Sequence, residues 1–170
     1  FAPYFAEYIN YIDNHDGVGR ILPTDNNFIP RLNALESAIG TRTRAVLINS
    51  PNNPSGAVYS EDFMHQIGEL LYKKETKFGA PVLLINDAPY SKIVYDGLDC
   101  PQIWSHYRHS IMVTSHSKDL ALPGERIGYV AIHPDCSQRT ELVNGFVYCN
   151  RILGYVNAPA LMQRLVRYLQ

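Results

Sequence analysis

The chain has 170 residues, 46% of them hydrophobic, which is enough for one domain with a sizeable core. Its formal net charge is −1 with the signs interspersed, so it carries no electrostatic footprint for nucleic acid or an anionic membrane. Cys100, Cys136 and Cys149 lack any Cys-x-x-Cys spacing, and the longest apolar runs are strand-sized; neither a disulfide framework, a zinc site nor a membrane span is expected, and a reducing cytoplasm fits.

Aromatic and aliphatic residues at Tyr4, Phe5, Tyr8, Ile9 and Ile12 predict a helix from about Pro3 to Asn14, ended by Asp16-Gly17. Val18 to Leu22 reads as a short strand and Ile29 to Ile39 as a helix closed by Gly40. Ala45 to Ile48 is an apolar strand. Ser60-Glu61-Asp62-Phe63 opens the clearest helix, with Ser60 as N-cap, a stripe of Phe63, Ile67, Leu70 and Leu71, and Lys73, Lys74 and Lys77 loading its end. Val82 to Ile85, Ser110 to Thr114 and Ile127 to Ile132 read as further strands, the last able to pair antiparallel. Thr140 to Ile152 and Ala158 to Leu169 read as helices. His106 and His109 could share a helical face, but no third ligand is near them and no metal site is indicated. Alternating helices and strands argue for an α/β domain with a largely parallel sheet, whose strand-end loops gather at one edge.

Three of those loops carry chemistry. Asn49-Ser50-Pro51-Asn52-Asn53-Pro54-Ser55-Gly56 follows the first apolar strand; its prolines fix φ and its asparagines can present amides to a ligand. Asn86-Asp87-Ala88-Pro89-Tyr90 places a carboxylate and a phenol three residues apart where the next strand surfaces. Ser115-His116-Ser117-Lys118 sets an amine beside two hydroxyls, and Arg126 follows eight residues later. An amine can form an imine with an aldehyde, while hydroxyls and a guanidinium can hold a phosphate attached to it.

In this order the motifs resemble the class I/II aminotransferases, fold-type I enzymes that depend on pyridoxal phosphate. The resemblance covers nearly the whole chain, with Ser55 where threonine is usual and Asn86-Asp87-Ala88-Pro89 in place of the commoner Ser-Asp-Glu-Ile type of sequence. It implies a three-layer sandwich around a mostly parallel sheet. Residues 1–170 would be part of the large cofactor domain, the N-terminal segment and C-terminal small domain being absent.

The resemblance also implies roles. Lys118 would hold the cofactor as a Schiff base and move a proton. Asp87 would face the pyridine nitrogen, Asn53 and Tyr90 the ring oxygen, and Ser115, Ser117 and Arg126 the phosphate, with the backbone bending around it at Gly124 and Gly128. Phe5 would stack on the ring. Amino-acid and 2-oxo-acid substrates and a homodimer follow from the same likeness. A carbon–sulfur lyase or another reaction on the same scaffold, or a cofactor-sensing domain of a transcription factor, stands as the alternative, because fold does not fix the reaction.

Overall fold

The computed structural model describes residues 1–169. Strands β1 (Ala45–Asn49), β2 (Leu83–Asp87), β3 (Ser110–Ser115) and β4 (Gly128–Ile132) form one sheet in chain order. The first three run parallel, and β4 returns antiparallel beside β3. A parallel neighbour needs a crossover, and helix α3 (Glu61–Phe78) supplies it between β1 and β2.

The sequence chemistry of α3 is the expected one. The Ser60 hydroxyl accepts from the Phe63 amide at 3.1 Å, Glu61 and Asp62 fill the first turn, and Gly79 closes the helix in a left-handed conformation. Its buried stripe of Phe63, Met64, Ile67, Leu70 and Leu71 packs with Val46, Ile48 and Leu84 of the sheet. Leu35 of helix α2 (Leu32–Ala38) and Ile39 complete this core. Each such side chain contributes roughly 1.5–3 kcal/mol by leaving water.

Strand register assigns the faces. Val46 pairs with Leu84, on the α3 side; Leu47, Ile85 and Ile111 are mutually in register on the other. There, helix α5 (Arg139–Ile152) borders β4 across a groove of about 430 Å³ lined by Val130, Ile132, Val143, Phe146 and Val147. Neither α5 nor helix α6 (Ala160–Leu169) buries a residue. The sandwich is dense on one face and thin on the other. On the outer side of β1, a cleft of about 920 Å³ separates that strand from Ile21 and Leu22 and reaches Phe1 and Tyr4.

Several elements differ from expectation, each for a local reason. Helix α1 spans Glu7–Asp13 and begins after Pro3, because Ala2 is held extended by a bridge to Pro23. Helix α2 starts late because Pro30 bridges Thr24. Val18–Leu22 is not a strand: Val18 is 96% exposed, and the stretch has no ladder among the described residues. Lys74, expected at a solvated helix end, is buried and donates to the Glu36 carbonyl at 2.6 Å.

His106 and His109 share no helix. His106 pairs with Glu61 at 2.7 Å, while His109 lies 3.2 Å from Glu75, its pKa lowered chiefly by burial. No helix among the described residues is long and apolar enough to cross a membrane.

Candidate active site

Parallel pairing brings the three motif loops to one edge. Asn49 is in register with Asp87, and Asp87 with Val113, so the chain leaves β1, β2 and β3 on the same side. Asn49 ties two of these exits together. Its amide nitrogen donates to the Asp87 carbonyl at 2.7 Å, and its oxygen accepts from the Asn53 backbone at 2.7 Å.

The loop after β1 is internally braced. Asn52 accepts from the Ser55 backbone at 3.1 Å and from its hydroxyl at 2.7 Å, while Asn86 accepts from the Ser50 backbone at 3.3 Å. The buried Asn49, Asn52 and Asn86 are therefore occupied as scaffolding. The half-buried Asn53 side chain makes no hydrogen bond among the described residues and is available to a ligand.

Asp87 is partly buried at the end of β2. The Tyr8 hydroxyl of α1 donates to its Oδ2, and no ion pair reaches it among the described residues. Burial raises the Asp87 pKa, and the Tyr8 bond opposes that rise. Tyr8 itself is raised, first by burial and then by the carboxylate, so it keeps its proton. Downstream, the Ala88 amide donates to Val113 at 2.8 Å and the Thr114 hydroxyl to Ala88 at 3.1 Å, which clamps this loop to β3. Half-buried Tyr90 follows, its ring centroid 6.0 Å from Lys118 Nζ.

Lys118 lies on the one-turn helix α4 (His116–Asp119), which follows Ser115 at the end of β3. The His116 amide donates to Ile127 at 3.0 Å and the Leu122 amide to His116 at 3.2 Å, fastening the lysine turn to the stretch that carries Arg126. Asp119 faces the buried His116 at 3.2 Å and Lys92 at 3.7 Å. Lys118, exposed, has no ion pair among the described residues. Arg126 is also exposed and, among the described residues, donates only to the Pro123 carbonyl, at 2.8 Å. Ser115 and Ser117 are half-buried on either side of His116.

Gly128 also has a task within the sheet. It stands opposite Ser115, and a Cβ there would come within 2.3 Å of the Thr114 carbonyl oxygen, so it lets β4 close on β3. Gly124 has open space and needs no special backbone conformation.

The structure thus brings Asp87, Tyr90 and Lys118 to one edge and links Asn53 to them through Asn49. Ser115 and Ser117 flank the lysine turn, and Arg126 sits on the segment pinned against it. Phe5 stands just before α1, edge-on to Tyr8 with ring centroids 5.6 Å apart, and so approaches Asp87 through its neighbour. Tyr8 was not expected at the site. Its only signal in the sequence is a spacing of three from Phe5, which puts both on adjacent turns of the chain but says nothing of the strand end they meet.

Comparison with known proteins identifies a family. The family model for aminotransferase class I and II matches residues 1–168. An amino transferase structure from Eubacterium rectale superposes with a TM-score of 0.93 at 42% identity, over 97% of this chain and 42% of that one. Aspartate aminotransferase of Thermotoga maritima is 30% identical over 134 residues, 76% of this chain and 34% of its own length. Aromatic-amino-acid aminotransferase 2 of Thermococcus litoralis is 29% identical over 135 residues, 76% of this chain and 33% of its length. The chain spans about a third of these two relatives. A match along almost all of the chain, over motif loops that the parallel sheet gathers at one edge, means that the chain belongs to the class I and II aminotransferases, fold-type I enzymes that use pyridoxal phosphate.

Proposed function

We propose that the protein carrying this chain moves an amino group between an amino acid and a 2-oxo acid, with pyridoxal phosphate held on Lys118. Residues 1–170 form part of its large cofactor domain, completed by an N-terminal segment and a C-terminal small domain. The shared length with the Eubacterium rectale structure, 42% of that chain, supports this division. The protein works as a homodimer in the cytoplasm, with amino-acid and 2-oxo-acid substrates as its partners. Exposed apolar residues on α5 and beyond, among them Val147, Tyr155 and Leu161, support further packing partners.

The observation that carries the reading is Asp87. A carboxylate taken partly out of water needs a cation or strong donors, and the only hydrogen bond to it among the described residues comes from Tyr8. A protonated pyridine nitrogen is both cation and donor, so the group fits. When bound, pyridoxal phosphate supplies an electron sink for the pair left at the substrate Cα.

The residues then divide the work. Asp87 keeps a proton on the ring nitrogen. Lys118 Nζ would hold the cofactor by condensing with its aldehyde, with water leaving, and as a free amine would take a proton from the substrate Cα and return it elsewhere. Asn53 and Tyr90 would donate to the ring oxygen. Ser115, Ser117 and Arg126 would hold the phosphate, the arginine supplying the charge. Phe5 covers the ring face.

Borohydride reduction of the cofactor-loaded, full-length protein followed by peptide mass mapping tests the assignment. The pyridoxyl label belongs on Lys118 alone. Label on Lys73, Lys77 or Lys92 instead would overturn it.

A further inference from the structure

We infer that Tyr8 is a positioning residue for the proposed reaction: its hydroxyl, fixed on Oδ2 of Asp87, aims the carboxylate and leaves Oδ1 for the ring nitrogen of the cofactor. This rests on the aminotransferase reading, but part of its test does not involve the cofactor.

The geometry is specific. Tyr8 lies three residues after Phe5, in the first turn of α1, and reaches 79 residues forward to the end of β2. Asn49 fixes the backbone of Asp87 through its carbonyl but leaves the carboxyl group free to rotate. Tyr8 is the one side chain that holds that group among the described residues. The titratable groups acting on the phenol are Asp87, Tyr90 and Tyr11; no lysine, arginine or histidine is among them. The phenol therefore stays a donor across the working pH range, raised by burial and by the carboxylate it serves.

A donor on one carboxylate oxygen has two effects. It favours the charged form of Asp87 against the burial that disfavours it. It also removes the rotational freedom of the group, so that the second oxygen is presented in one direction. A hydrogen bond to a charged group is worth roughly ten- to a hundredfold in an equilibrium constant. If Tyr8 merely tied α1 to the sheet, its loss would change stability and the ionisation of Asp87 in the cofactor-free protein, but would leave the absorbance titration and kcat of the loaded protein unmoved.

The test uses the full-length protein and Tyr8→Phe, which keeps the ring and deletes the hydroxyl. In the cofactor-free protein, carbon-13 NMR of labelled aspartates follows the Asp87 titration, which moves to higher pH in the variant. In the loaded protein, the pH at which visible absorbance changes also moves upward, because a ring nitrogen with less positive charge leaves the attached nitrogen easier to protonate. kcat falls roughly ten- to a hundredfold with KM within about twofold. Uniform 3-fluorotyrosine, a more acidic phenol and hence a stronger donor, moves the Asp87 titration to lower pH in the wild type, and Tyr8→Phe abolishes that shift.

An unchanged absorbance titration in a folded, loaded Tyr8→Phe protein overturns the inference, and so does an unchanged Asp87 titration, whatever happens to the rate. Should Tyr8→Phe not fold, a fluorotyrosine protein with an unmoved Asp87 titration overturns it equally. Failure of the aminotransferase reading looks different: borohydride leaves Lys118 unlabelled while the cofactor-free Asp87 titration still responds to Tyr8.

Discussion

Asp87 shows at the scale of one residue how a functional group opposes the fold that holds it. Burial raises its pKa, so the folded state binds its proton more tightly than the unfolded chain does. That cost is fully present above the folded pKa and vanishes as pH falls through it toward the ordinary aspartate value. Asp87→Asn, which keeps an oxygen for Tyr8 without the charge, should raise the thermal midpoint of the cofactor-free protein at neutral pH. Calorimetry at a series of pH values should find the gain shrinking in the acid range. Amino-group transfer should fall by orders of magnitude in the same variant. A variant less stable than wild type at pH 7 would mean that the charge itself supports the fold. The gathering of Lys118, Asp87 and Asn53 at one sheet edge was legible in the sequence because each follows directly on an apolar strand. Tyr8 was not, because a contact across 79 positions is a property of the folded chain.

Elements were legible where their signals are local. Helix α3 carries its own cap, stripe and terminating glycine, and its bounds follow. Helices α1 and α2 came out shorter because Ala2 and Pro30 are claimed by bridges to distant residues. Val18–Leu22 has strand composition, but a strand exists only beside a neighbour, which composition cannot supply. Gly68 is the clearest case of context overruling propensity. Replacing a mid-helix glycine by alanine ordinarily gains about 1 kcal/mol. Here a Cβ would come 2.3 Å from the His106 carbonyl oxygen and 3.0 Å from its carbon, so α3 would have to move off the 3-10 turn that ends there. Gly68→Ala should therefore destabilise the protein by roughly 1–3 kcal/mol, read as a lower urea midpoint. A raised midpoint would show that the two segments part easily.

The whole molecule has one well-filled face and one that is thinly covered. Val147, Tyr148, Ile152, Leu153, Leu161 and Leu169 are all more than half exposed, which is much apolar surface for a chain this size. Residues 1–170 purified alone should associate in sedimentation experiments and should not turn over amino acids with added pyridoxal phosphate, since oriented substrate binding supplies much of the rate. Steady multiple turnover by a monomer would contradict both the division proposed above and the assignment of the site to a larger protein. The free side of β1 adds a matter of timing. That strand is hydrogen-bonded only to β2 among the described residues, and its other row of amides and carbonyls opens on the cleft toward Leu22. The β1–α3–β2 unit closes through a nearby crossover and can assemble quickly, whereas a strand joining from farther away would arrive later. Until it is covered, such a bare edge is a template for any extended chain, so a slow covering step would favour aggregation even of a protein that is stable once folded.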